Sequence, residues 1–273
     1  MMTRSRLFAA IMVALCFPGS VFSGGTGGTE DIFSFGAGAR AISLGRTFVG
    51  LADDISALYW NSAGIYNIDK KTVSAFYSQL FGGTMYGFMG YVHPTADYGS
   101  FGVGVMSLYT GDITGYDASS YALDSFNSGR MKFIISYANQ LPWFPLTIGF
   151  SAKMNYISIE NYSGTSFNFD FALQYDFIKQ SFRERALGKG RDDVELVAGF
   201  VFRNILLNSG ERLTEETDEE RYQMVLGISF MKRVKPYLAG RAVVDFVISE
   251  DQPLAVSSGL EAIIYKNYFI RLG

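Results

Sequence analysis

"SFNFDFALQYDF", residues 166–177, decides the fold. Phe167, Phe169, Phe171, Leu173, Tyr175 and Phe177 take alternate positions, with Asn168, Asp170, Ala172, Gln174 and Asp176 between them. Successive side chains of a strand point to opposite faces, so this period sorts the stretch into one apolar and one polar face. The period recurs in "TIGFSAKMNY" (147–156), where Ile148, Phe150, Ala152, Met154 and Tyr156 oppose Gly149, Ser151, Lys153 and Asn155. It recurs where Met131, Phe133, Ile135 and Tyr137 oppose Lys132, Ile134, Ser136 and Ala138, and again in Tyr222, Met224, Leu226, Ile228 and Phe230. Candidate strands are 71–81, 84–93, 98–109, 129–139, 146–159, 165–178, 193–203, 221–231, 236–248 and 254–265, with another from Tyr268.

A soluble sandwich alternates too, with its apolar face inward. Two features favour lipid outside instead. The strands run to about ten residues or more, the length a tilted strand needs to cross a bilayer. Their polar faces carry Lys153, Asp170, Gln174, Asp176, Glu195, Arg203, Arg241, Asp245 and Glu261, side chains that suit a wet lumen. Tyr and Phe gather near strand ends, where aromatic girdles sit. Composition agrees: 48% of residues are apolar and 16% aromatic, and only 18% are charged against the quarter usual in soluble domains. No stretch after the leader reaches the 18 or so apolar residues of a membrane helix. Open edges are intolerable in lipid, so the expectation is an all-β, transmembrane antiparallel β-barrel.

The first residues read separately. Arg4 and Arg6 precede an apolar run from Leu7 to Phe17, and Val21 and Ser23 supply the small-residue spacing of a cleavage site. Residues 1–23 are therefore expected to be a signal peptide, 24–67 an N-terminal segment and 68–273 the barrel, in the outer membrane. The single cysteine, Cys16, lies in the leader, and Leu15 before it is large for a lipidation site. A chain cut after Ser23 has no thiol chemistry.

From a periplasmic start, outward connections are 111–128, 160–164, 204–220, 249–253 and the tight "FGGT" turn. Inward ones are "LPWFP" (141–145), "KRVK" (232–235) and "YKN" (265–267), with a longer positive stretch at 179–192. Short inward turns and longer outer loops match bacterial barrels. Because "NYFIRLG" stops inside a strand without a terminal aromatic, the expectation is that further C-terminal strands complete the barrel.

Just before the first strand lies "LADDISALYWNSAGI" (51–65). With its upstream neighbours it forms "GAGARAISLGRTFVGLADDISALYWNSAGI" (36–65), which resembles the N-terminal signature of the FadL-like outer-membrane superfamily, closest to its PorV/PorQ branch. The matching positions are Gly38, Ala39, Arg40, Leu44, Gly45, Arg46, Phe48, Ala52, Asp53, Asp54, Tyr59, Trp60, Asn61, Ala63 and Gly64, while Ser62 stands where the family has proline. "VFRNILLNSG" and "GLEAIIYKNYFIRLG" are similar to later family segments. The resemblance implies a barrel of about fourteen strands, within the known range of such barrels, with the N-terminal segment folded into the lumen as a plug or hatch. On that reading the glycines allow tight turns, Asp53 and Asp54 cap a short helix at Ile55–Leu58, and Tyr59 and Trp60 pack the wall. Asp53, Asp54 and Asn61, with Arg40 and Arg46, hold the plug to lumen groups such as Lys153, Arg203 and Arg241.

Enzyme chemistry finds little footing. His93 is the one histidine and sits at a strand end beside Pro94, so neither a Ser-His pairing nor a metal cluster is expected. "GFMGYV", "GSFGVGV" and "GGTGGT" lack phosphate-loop spacing, and glycine on a barrel strand leaves room for a plug. No catalytic residues, metal or cofactor are expected, and a net charge of −3 points away from nucleic acid. The resemblance implies a channel for hydrophobic small molecules. The alternative is a PorV-like component of type IX secretion that binds cargo or partner proteins at the cell surface.

Overall fold

The structure is a computed structural model. It describes residues 32–117, 119, 121–178, 194–206, 211–212, 217–218, 222–250, 252–265 and 267–273. The expected signal peptide and the 179–192 connection lie outside the described residues, as does much of the acidic run at 211–221.

The chain is all-β. A 3-10 turn at Ile32–Phe35 and the short helices α1 (Ala39–Ser43) and α2 (Ala57–Trp60) precede a second 3-10 turn at Ser62–Asn67. Strands follow: β1 (Thr72–Gln79), β2 (Met85–Pro94), β3 (Ser100–Tyr116), β4 (Ala122–Gln140), β5 (Leu146–Ile159), β6 (Tyr162–Asp176) and β7 (Val194–Leu206). A two-residue pair, β8 (Glu211–Arg212) with β9 (Thr217–Asp218), stands apart. The series ends with β10 (Gln223–Lys235), β11 (Leu238–Ser249), β12 (Ala255–Ile264) and β13 (Tyr268–Leu272). Eleven of these form one antiparallel sheet in the order β1-β2-β3-β4-β5-β6-β7-β10-β11-β12-β13, each strand beside its sequence neighbour, with β1 and β13 as open edges. No helix among the described residues is long and apolar enough to cross a membrane, which says nothing of strands.

Every strand expected in this sheet is present, but several run on. β3 and β4 continue to a Tyr116–Ala122 pairing, so most of the expected 111–128 loop is hairpin. Its sequence lacks alternation because residues 122–125 are exposed on both faces, so no apolar face is needed there. Two register shifts and a positive φ of 53° at Asp112 interrupt the ladder. "KRVK" belongs to β10, which pairs through Lys235–Leu238 across a bulge and leaves only 236–237 as the turn. "FGGT" turns through Gly82 and Gly83, whose φ values of 64° and 74° lie where side chains are disfavoured.

The alternating pattern fixes which face is which. In β6, Asn168, Asp170 and Gln174 are buried, whereas Phe167 and Phe169 are exposed. Large apolar groups cover the exposed face along the sheet, including Met89 at 57%, Ile135 at 66%, Phe150 at 54% and Ile270 at 60% exposure. Phe150 and Phe171 pack there, ring centroids 5.3 Å apart. A soluble monomer seldom leaves so continuous an apolar surface in water. The opposite face is covered by the N-terminal segment, whose Leu44, Phe48, Leu51, Ile55, Leu58, Trp60 and Ile65 form one buried cluster with Tyr86, Phe88, Val92, Met106 and Ile134 of β2–β4.

Candidate functional site

The candidate site is the seat of residues 33–68 on the polar face of the sheet. Its geometry begins with strand glycines. A Cβ at Gly149 of β5 would collide with the Ala63 backbone, one at Gly199 of β7 with Val49, one at Gly227 of β10 with Gly50, and one at Gly259 of β12 with Leu44. At the other side of the sheet, Gly90 of β2 and Gly102 of β3 leave space that Leu58 fills. The segment thus touches both early and late strands, backbone against backbone where only glycine permits the approach.

Polar contacts then fix its register. The buried Asp245 carboxylate of β11 accepts the Phe48 N–H at 2.8 Å and the Val49 N–H at 3.0 Å. Asn61 Nδ2 donates to Val49 O at 2.8 Å and Leu173 O at 3.2 Å, and its Oδ1 accepts Ala63 N–H at 3.1 Å. Asn67 Nδ2 donates to Gln174 Oε1 at 2.7 Å, while Gln174 Nε2 donates to Leu51 O and Ala52 O at 3.4 Å. Inside the segment, Tyr59 Oη donates to Phe33 O and Trp60 Nε1 to Ala37 O, each at 2.8 Å. Tyr59 and Trp60 meet edge to face at 5.0 Å.

Charges cluster at two places. The first joins α1 to the last strands. Glu261, fully buried on β12, receives Arg40 Nε at 3.3 Å, Arg241 Nη1 at 3.2 Å and Arg271 Nε at 2.7 Å. Arg40 also forms an ion pair with Asp53 and lies 3.5 Å from Asp54, while Arg241 lies 3.8 Å from Asp53 and 2.9 Å from Glu195. Burial alone would lower the Arg40 pKa, but the Asp53 and Glu261 carboxylates hold it above its ordinary value. The second cluster lies under the aromatic pair. Lys153 pairs with Asp170, whose Oδ1 accepts the Asn204 N–H at 3.1 Å. Arg203 donates to Trp60 O at 2.9 Å and sits over the Tyr59 and Trp60 rings at 5.5 and 5.6 Å.

The expected residues therefore divide. Arg40, Asp53, Asp54, Glu195, Arg241 and Glu261 converge on one network. Lys153, Asp170, Arg203, Tyr59 and Trp60 converge on the other. Lys153 meets the segment through the Tyr59 ring at 5.8 Å. Leu44, Ala63 and Gly64 are buried in the seat, where Gly64 abuts Ala52; Gly45 and Arg46 form the preceding turn, with φ values of 66° and 63°. Arg46 is exposed there, and Asp176, half-buried, closes β6 and accepts the Ile178 N–H at 3.1 Å. One expected detail is corrected. Asp54 accepts the Ser56 N–H at 2.8 Å and its hydroxyl at 2.5 Å in a turn, so α2 begins at Ala57 and not at Ile55. The turn satisfies donors that the helix would otherwise leave open.

Sequence reasoning missed Arg271, which joins Arg40 at the Glu261 carboxylate, and Lys132, whose Nζ lies 5.1 Å over the Phe33 ring. Alternation marks Lys132 as inward, but nothing local joins it to a residue a hundred positions upstream. Among the described residues no group of histidine, cysteine or carboxylate side chains could hold a metal ion. The chain matches no protein-family model and no curated protein sequence.

Proposed function

We propose that this chain is an outer-membrane β-barrel of the FadL-like, PorV/PorQ kind, in which residues 33–68 are the lumen plug of a channel for hydrophobic small molecules. One observation carries the reading: strands of up to 19 residues expose apolar side chains on one face and bury charge beneath a packed segment on the other. A soluble fold reverses that arrangement. Contact of the one segment with β2 and β3 and also with β12 supports a sheet curled around it. In lipid, the β1 and β13 edges require partners.

The test is uptake of a fluorescent fatty acid into cells expressing the exported protein. Asp245→Ala removes the buried acceptor that ties the Phe48 and Val49 N–H groups to β11, a loss of about 1–3 kcal/mol for each buried donor, and should raise uptake with the strands intact. Absence of the wild-type protein from the outer-membrane fraction, or uptake equal to that of cells lacking it, refutes the proposal.

A further inference from the structure

The β10–β11 turn concentrates cations at an end of the sheet that otherwise carries both signs, with Asp97 and Glu195 exposed as well. Among the described residues, the exposed charges on the hairpins at the β3–β4 end are carboxylates: Asp112, Asp117, Asp124, Glu160 and Glu250. At the β10–β11 turn the chain instead places Lys232, Arg233 and Lys235 within four positions. Aromatic rings build on those cations. Lys235 Nζ lies 5.6 Å from the Tyr237 ring centroid. Tyr237 stacks on Tyr265 of the neighbouring turn at 5.4 Å with 21° between planes, held by a 2.8 Å hydrogen bond from Tyr265 N–H to Tyr237 O. Tyr237 and Tyr265 are 42% and 65% exposed, and Lys235 is exposed beside them.

On the membrane reading above, we propose that this turn is a docking surface for anionic phospholipid headgroups. The Lys235 ammonium and the exposed tyrosine hydroxyls supply donors for phosphate oxygens, and the stacked rings lie at the level where amphipathic aromatics prefer the interface. Each cation near an anionic surface is worth about a fivefold change in binding.

The test reconstitutes the full-length protein in phosphatidylcholine vesicles with and without phosphatidylglycerol, then counts lipids retained on the detergent-extracted protein by native mass spectrometry. The wild type should retain phosphatidylglycerol over phosphatidylcholine, less so at high salt. Lys235→Gln should lower that preference by about fivefold. Tyr265→Phe, which keeps the stack, should lower it less. Asp112→Asn with Asp117→Asn, at the far end, should leave it unchanged. Insertion without any phosphatidylglycerol preference overturns the docking surface and leaves the barrel reading standing. An equal change from the far-end variants also overturns it, since the effect would then be net charge. Failure to insert into either vesicle overturns both.

Discussion

Replacing Asp245 by alanine should unseat the N-terminal segment without dismantling the sheet. Its carboxylate, 2% exposed, is the acceptor for the Phe48 and Val49 N–H groups at 2.8 and 3.0 Å. Alanine leaves both donors buried without that acceptor, at about 1–3 kcal/mol each. Taking about 3 kcal/mol for the pair, at the low end of their sum, the population with an opened segment rises roughly a hundredfold, since about 1.4 kcal/mol is tenfold. The strand itself loses no ladder bond, because the Asp245 backbone remains paired with Gly227 and Ser257. The reporter is Ala57→Cys in a Cys16→Ser background, since Ala57 is 0% exposed and reacts only when the segment opens. Maleimide labelling of the reconstituted protein should accelerate about as much as the opened population grows. Both N–H groups reach the same oxygen, Oδ2, so Asp245→Asn with its amide oxygen in that place keeps both bonds and should accelerate labelling far less than Asp245→Ala. Wild-type labelling rates in Asp245→Ala, with the β-sheet circular dichroism retained, would refute the reasoning.

Three further outcomes are expected. Phe171→Arg should cost roughly 2–4 kcal/mol in denaturant unfolding of the full-length protein in lipid if the position lies near the midplane, whereas Asp176→Arg, on the opposite face and only half-buried, should be tolerated better; equal costs would contradict the face assignment. Glu261→Gln removes the carboxylate shared by Arg40, Arg241 and Arg271 and should destabilise by about 3–5 kcal/mol, as breaking a buried pair does; restoration of stability by Arg241→Met in the same chain would show that uncompensated charge is the cause. Gly227→Val places a side chain against Gly50 and should make Ala57→Cys label rapidly, so slow labelling there would show that the segment does not need the glycine.

Local sequence determined the strands, their two faces and most turns of this protein. A two-residue period is a short-range property: Phe169 and Asp170 are adjacent and must point apart whatever surrounds them. The same holds for Gly82 and Gly83, whose backbone freedom marks their turn. Sequence pattern also separated 24–67 from the strands, and the Asp53–Asp54 pair drew attention to a polar anchor. Tertiary structure alone decided the partners. Asp53 turns to Arg40 on its own segment and Lys153 pairs with Asp170, while the anchoring carboxylate is Asp245, 197 residues from Phe48. Such pairings depend on strand order, on register and on which glycines let two backbones meet, and a one-residue shift of β11 would turn Asp245 to the apolar face. Local periodicity carries the side of the sheet but not the position across it, so the inward charges were legible one by one and their networks only in the folded chain.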